Sequence, residues 1–191
     1  MVSTDTVGVL ALQGAFARHL AVVESLGHDA VAVRLPQDLA AVDRLIMPGG
    51  ESTTMSFLLD SNALRQPLAD RIAAGMAVFG TCAGMILLAR EILDGRPDQE
   101  PLGAIDLAVR RNAFGRQRDS FEADLDVTGL DEAFPAVFIR APIVDKAGAD
   151  VEVLASVDDQ PVLCRQGAVM VAAFHPELSD DARIHELFLQ M

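Results

Sequence analysis

The segment Phe79-Gly80-Thr81-Cys82-Ala83-Gly84-Met85 carries the strongest chemical signal in the sequence. An apolar run enters a Gly-x-Cys-x-Gly turn and another leaves it, which is the cysteine form of a nucleophile elbow. Glycines on either side permit a tight turn and close packing of strand against helix. The thiol is then presented at a helix N-terminus, where the dipole favours thiolate over thiol and free backbone N–H groups can stabilise an oxyanion. The same heptapeptide also suits a small cysteine buried between packing glycines, so its meaning depends on what else the chain supplies. The other cysteine, Cys164, follows Val162 and Leu163 in a plain apolar run with no glycine turn, and is expected to be inert core.

A thiol nucleophile needs a histidine to move protons and an acid to hold that histidine. The chain has four histidines. His19 and His185 fall within helical patterns and His28 just past a helix stop, where a structural role suits them better. His175 ends an apolar run in Phe174-His175-Pro176-Glu177, and strand ends are where α/β folds place reacting groups. Pro176 fixes its own φ and keeps His175 extended. Glu177 can then curve back to the imidazole, setting its tautomer and stabilising the imidazolium; alone, the tripeptide equally suits a solvated turn, and its force comes from the elbow cysteine. A third strand-end loop, Pro48-Gly49-Gly50-Glu51-Ser52-Thr53, offers backbone N–H groups to a ligand. It also reads as a helix-capping turn with Ser52 or Thr53 as the cap.

The elements that would position these groups alternate. Strands are expected over 7–12, 30–35, 44–47 and 77–79, with helices over 15–26, 53–59, 64–74 and 85–93. This βα alternation implies parallel pairing with helices on both faces of a sheet. The second half is richer in strands, over 105–109, 121–127, 137–139, 151–157, 162–164 and 169–174, and a helix over 180–190 closes the chain. No repeat, low-complexity tract or linker marks a boundary, so one domain over 1–191 is expected.

Composition narrows the classes of function. Acidic residues outnumber basic ones 28 to 15, a formal charge of −13, which repels phosphate backbones and makes nucleic acid an unsuitable partner. No apolar run reaches the roughly 18 residues needed to span a bilayer, and the first residues do not read as a signal peptide. The expectation is a soluble, cytoplasmic protein with no membrane association. Neither cysteine lies in metal-type spacing, so no metal site or cofactor is expected.

Taken in chain order, these constellations resemble the class I glutamine amidotransferase family, flavodoxin-like α/β three-layer sandwiches with a mostly parallel central sheet. Within it the similarity is greater to the glutaminase subunits of pyridoxal 5′-phosphate synthase. Leu10-Ala11-Leu12-Gln13-Gly14, Gly49-Gly50-Glu51-Ser52-Thr53-Thr54, Arg111-Asn112-Ala113-Phe114-Gly115-Arg116-Gln117 and Phe138-Ile139-Arg140-Ala141-Pro142 carry that likeness, with His175-Pro176-Glu177-Leu178, His185 and Phe188.

The resemblance implies that Cys82 attacks the side-chain amide of L-glutamine, with His175 as proton shuttle and Glu177 as its orienter. It implies an oxyanion site at the N–H groups of Gly50 and Ala83, gating at Gly49, Gly50 and Gln13, and glutamine held by Gly50, Glu51, Ser52, Arg111, Ile139 and Arg140. The ammonia would pass to a PdxS-type synthase subunit. Arg110 stands where relatives commonly carry an acid, which would alter the charge beside the glutamine site. Two other readings share the fold: another cysteine hydrolase, such as a γ-glutamyl hydrolase or a DJ-1-like protein, or a non-catalytic assembly subunit.

Overall fold

The computed structural model describes residues 5–111 and 120–191. The first half of the chain alternates as expected: β1 (Thr6–Leu10), α1 (Phe16–Ser25), β2 (Asp29–Val33), α2 (Pro36–Ala40), β3 (Arg44–Met47), α3 (Ser52–Ser61), α4 (Arg65–Ala73), β4 (Ala77–Thr81) and α5 (Ala83–Leu88). Strands β5 (Ala89–Ile92), β6 (Ile105–Arg110), β7 (Ser120–Leu125), β8 (Phe134–Ile139), β9 (Ile143–Ala147), β10 (Glu152–Val157), β11 (Gln160–Gln166) and β12 (Val169–Ala172) follow. A 3₁₀ turn at Pro176–Leu178 and helix α6 (Arg183–Leu189) end the described fold.

Seven strands form the central sheet in the order β10-β11-β12-β4-β3-β1-β2. Neighbours from β12 to β2 are parallel, and β10 and β11 add an antiparallel edge. The parallel part has the flavodoxin-like order, with its topological switch between β1 and β3. Its inner strands are continuous apolar runs because both faces are covered. Leu45, Ile46 and Met47 of β3, Val78 and Phe79 of β4, and Met170 and Val171 of β12 are all fully buried. α1 packs on β1 and β2, and α5 packs on β3, β4 and β12. Outside this sheet stand a three-stranded sheet, β5-β6-β9, and the β7–β8 hairpin.

Several expectations are corrected, the following among them. The apolar stretch 85–93 is not one helix: α5 stops at Leu88, and Ala89 turns extended (φ −56, ψ 158) to begin β5, which pairs with β6. The apolar residues 85–89 carry no period that separates helix from strand, and the polar pair Arg90-Glu91 does not mark the break. α2 and β9 were not anticipated, although Pro36 at the first turn of α2 is a helix-start signal. Strand β12 ends at Ala172, two residues before the expected Phe174. Among the described residues no helix is long and apolar enough to cross a membrane.

Candidate active site

Cys82 sits between β4 and α5 with φ 49 and ψ −102, a backbone conformation that L-residues rarely adopt. Conformations of this kind cost about 1–3 kcal/mol and persist only where the surroundings enforce them. Here the enforcement is visible. The Cys82 N–H donates to Ala172 O at 2.8 Å, tying the turn to the end of β12. The glycines hold helix and strands in contact: a Cβ on Gly80 would lie 2.7 Å from the backbone of Gly84, and one on Gly84 would lie 2.1 Å from Met47 O. No side chain fits at either position without moving the helix. The first turn of α5 leaves the N–H groups of Ala83 and Gly84 without intrahelical acceptors.

His175 reaches the same point from β12, one short bend beyond Ala172. Its N–H donates to Val137 O of β8 at 2.8 Å. Its Nδ1 lies 2.8 Å from Glu177 Oε1. Glu177 is 3% exposed, and Pro176 starts the 3₁₀ turn that curls the carboxylate back over the imidazole. Burial lowers the His175 pKa, but hydrogen bonding and charge from Cys82 and Glu177 outweigh it and push it up to about 10. Burial would raise the Glu177 pKa, yet the His175 hydrogen bond at one oxygen and the His19 ring beside the other hold it well below the usual carboxylate range. The pair therefore rests as imidazolium and carboxylate. Cys164 differs: burial alone pushes its thiol up to about 12.

The loop after β3 closes over this group. Gly49 has no room for a side chain, since a Cβ there would stand 2.4 Å from His175 Cε1 and 3.3 Å from Cys82 Cβ. Glu51, rather than Ser52 or Thr53, caps α3: its carboxylate accepts from Thr53 N at 3.1 Å, Thr54 N at 2.7 Å and Thr54 Oγ1 at 2.8 Å. A longer acid reaches the same N–H groups that a shorter cap would, and Ser52 is left buried at the first turn of α3. Gln13 Oε1 accepts from Glu51 N at 3.0 Å. A Cβ on Gly14 would fall 1.8 Å from Gly49 O, so Gln13-Gly14 lies flush against the Gly49–Glu51 backbone.

A cleft of about 360 Å³ joins these residues, lined by Gly50, Glu51, Ser52, Cys82, Ile86, Arg111, Ile139, Arg140 and His175. Ile139 O is 3.9 Å from Cys82 Sγ. Arg140, at φ 45, follows β8 at the rim. Arg111 NH1 donates to Thr53 Oγ1 at 2.8 Å and Gln99 Oε1 at 3.1 Å, while its Nε is buried without a partner. Neither Arg111 nor Arg140 forms an ion pair among the described residues. A partly buried guanidinium with spare donors suits a carboxylate ligand. A larger hollow of about 820 Å³ beside the β7–β8 hairpin is lined by no cysteine or histidine, and Glu122, Asp124, Asp180 and Asp181 make it hostile to an acidic ligand. Arg110 is paired with Asp145 at 2.8 Å and does not line the Cys82 cleft, so its charge is not added to that site. Residues 112–117 of the segment beginning at Arg111 lie outside the described residues.

Thus Cys82, His175, Glu177, Ala83, Gly49, Gly50, Glu51, Ser52 and Gln13 come together at the C-terminal ends of the parallel strands, beside the sheet's switch point, and Arg111 from the end of β6 with Ile139 and Arg140 from the end of β8 close the same cleft. Three residues that sequence reasoning set aside or passed over also belong here. Gln99 props Arg111. His19 and His185 are fully buried behind Glu177. The signal for His19 was its place on the inward stripe of α1, with Phe16, Leu20 and Val23; Gln99 lies in a polar loop and had none.

Fold and site define an α/β protein of the glutamine amidotransferase type, and relatives agree. A model described as the SNO glutamine amidotransferase family matches residues 9–191. Pyridoxal 5′-phosphate synthase subunit PdxT of Mycobacteroides abscessus is 60% identical, over 97% of this chain and 96% of that one. The protein of the same name from Herpetosiphon aurantiacus is 58% identical, over 96% and 98%. A crystal structure of a glutamine amidotransferase superposes with TM-score 0.91 at 50% identity, covering 96% of this chain and 97% of that one. The chain belongs to the SNO glutamine amidotransferase family.

Proposed function

We propose that this chain, as one domain over 1–191, hydrolyses L-glutamine to L-glutamate and ammonia through Cys82, His175 and Glu177. The ammonia then passes to a PdxS-type synthase subunit that makes pyridoxal 5′-phosphate. The observation that carries this reading is the strained Cys82 elbow facing the His175–Glu177 pair inside one small cleft with Arg111. The cleft is at the low end of the size of small-molecule sites, which suits one free amino acid better than the extended chain of a γ-glutamyl hydrolase substrate.

In this mechanism the Cys82 thiolate attacks Cδ of glutamine, and the carbonyl oxygen becomes an oxyanion held by the N–H groups of Gly50 and Ala83. The His175 imidazolium gives its proton to the amide nitrogen, the C–N bond breaks, and ammonia leaves a glutamyl thioester on Cys82. Neutral His175 then takes a proton from water, hydroxide attacks the thioester, and the thiolate departs. Glutamate leaves as the acid and ionises in solution, restoring the thiolate–imidazolium pair. Glu177 holds His175 Nδ1–H throughout. Arg111 and the Ile139–Arg140 backbone receive the α-carboxylate and α-amino ends.

Ammonia freed into water is mostly protonated and lost as a nucleophile, so hydrolysis is useful only beside an acceptor. Gln13 and Gly14, flush against the Gly49–Glu51 loop, are suited to relay docking of the synthase to the oxyanion site. A glutaminase assay with and without the synthase, on the parent and on Cys82→Ala, tests the proposal. Turnover in the complex that vanishes in Cys82→Ala supports it; turnover that survives Cys82→Ala overturns it.

A further inference from the structure

Behind Glu177 the polar chain continues. Glu177 Oε2 lies 3.3 Å from His19 Nε2, a polar contact that falls short of hydrogen-bond geometry. Thr81 Oγ1 lies 3.5 Å from the same nitrogen. His19 Nδ1 is 2.9 Å from His185 Nε2. His185 Nδ1 is buried with no partner, and Phe79 meets the ring edge-on at 6.1 Å. His19 comes from α1, His185 from α6, and both are fully buried. Two imidazoles in the core of a small α/β protein lose their hydration, and neither helix needs a polar residue there to pack.

Their proton positions follow from the contacts. The carboxylate can only accept, so His19 Nε2 carries the hydrogen facing it. If His19 is neutral, its Nδ1 accepts and His185 Nε2 donates, leaving His185 Nδ1 as a bare acceptor. If His19 were charged, His185 would have to accept and would carry an unpartnered buried N–H, the rarer and less tolerated orphan. Burial, reinforced by His19 and opposed by Glu177, pulls the His185 pKa down to about 3, so this ring stays neutral. Every donor in the row then points toward Glu177: His185 to His19, His19 to Oε2, and His175 to Oε1. The titratable groups facing Glu177 are His175 beside it and His19 from α1. Among the described residues no three His, Cys, Asp or Glu side chains converge to hold a metal ion; these are strung in line.

We propose that His19, backed by His185, is a positioning residue for the Cys82 site: it holds the far oxygen of Glu177 so that the near one stays turned to His175. This rests on the proposed role of Cys82, His175 and Glu177 and extends that group from three residues to five. An orienting carboxylate acts only while it is ionised and fixed in rotation. A buried carboxylate held at one oxygen is free to swing or take up a proton.

The test exploits the two nitrogens of His19. A glutamine side chain places its amide near the Nε2 position, facing Glu177, whereas asparagine reaches only the Nδ1 position, facing His185. In the complex with the synthase, His19→Asn should lower kcat by about tenfold, a part of the 10²–10⁴ that proton transfer contributes, with KM for glutamine unchanged. NMR of the histidine-labelled chain should show the His175 titration moved down toward its ordinary range. His19→Gln should keep kcat and the His175 titration close to the parent's. A role in packing alone would treat the two variants alike and leave His175 unmoved. A folded His19→Asn protein with parental kcat and parental His175 titration overturns the proposal. Should His19→Asn not fold, His185→Phe, which removes the donor to His19, must shift His175 in the same direction or the proposal falls. Cys82→Ala run alongside separates the failures: if it retains turnover, the underlying site assignment fails; if it is inactive while His19→Asn is parental, only the positioning role fails.

Discussion

His175 Nδ1 and Glu177 Oε1 lie 2.8 Å apart although only Pro176 separates them in sequence. The proline opens a 3₁₀ turn that carries the carboxylate back over its neighbour's ring, inside the protein rather than in solvent. A charged hydrogen bond buried in this way is roughly twice as strong as a neutral one, and it biases His175 toward the imidazolium that a thiolate partner and a departing ammonia require.

The consequence for pH dependence has a definite sign. His175 has a pKa raised from 6.5 to about 10, so the folded chain holds this proton more tightly than the unfolded one. Its contribution to stability is complete below 6.5 and is lost as pH rises through about 10. Glu177→Gln should bring the His175 midpoint down and reduce the alkaline loss of stability. Histidine NMR and urea unfolding at pH 7 and 10 check both. In activity, His175→Asn should abolish turnover with the fold intact by circular dichroism, while Glu177→Gln retains a fraction, because an orienting group is partly replaceable.

The two cysteines should differ sharply toward alkylating agents. Cys164 is fully buried with its thiol pushed up to about 12, whereas Cys82 opens onto the cleft. Limited iodoacetamide labelling followed by peptide mapping should find modification at Cys82 first. Faster modification of Cys164 would contradict the assignment.

Much of this was legible because the local chemistry and the fold agree. The elbow glycines, the apolar strands around them and the His-Pro-Glu turn are each ambiguous alone, but they support one arrangement when they occur in one chain. The stretch 85–93 misled because the apolar residues 85–89 do not choose between helix and strand, and the choice was made by pairing of β5 with β6 across the intervening loop. Glu51 as cap was missed because shorter side chains are the usual caps. His19 and His185 were set aside because a histidine in a helix signals nothing until its neighbours from other helices are known; they lie 166 residues apart in the chain.

Gly84→Ala tests the packing that enforces the elbow. Its Cβ would meet Met47 O at 2.1 Å, with rigid backbone on both sides, so the substitution should cost about 1–3 kcal/mol and lower turnover by displacing Cys82. Denaturant midpoints and kcat measured together check this; a variant as stable and as active as the parent would show that the close approach is not required.

The loop coupling predicts that adding the synthase raises steady-state glutamine hydrolysis by about tenfold or more, since one misdirected oxyanion donor costs roughly 10²–10³ in kcat. Gln13→Ala should lose part of that rise, because the Glu51 N–H loses its acceptor, and Gly50→Ala should reduce the stimulated rate, its Cβ meeting Gln13 Oε1 at 3.0 Å. Both should still bind the synthase in sedimentation velocity. An isolated chain already as fast as the complex would contradict the coupling.

The central claim is that Cys82 carries the glutamyl group during turnover. The most direct measurement is mass spectrometry of the synthase complex, acid-quenched during glutamine turnover, followed by peptide mapping of the adduct. The account predicts a glutamyl thioester on the peptide containing Cys82, enriched in Glu177→Gln if thioester hydrolysis slows, and absent in Cys82→Ala. A complex that turns over glutamine with no adduct at Cys82, or with the adduct on another residue, would contradict it.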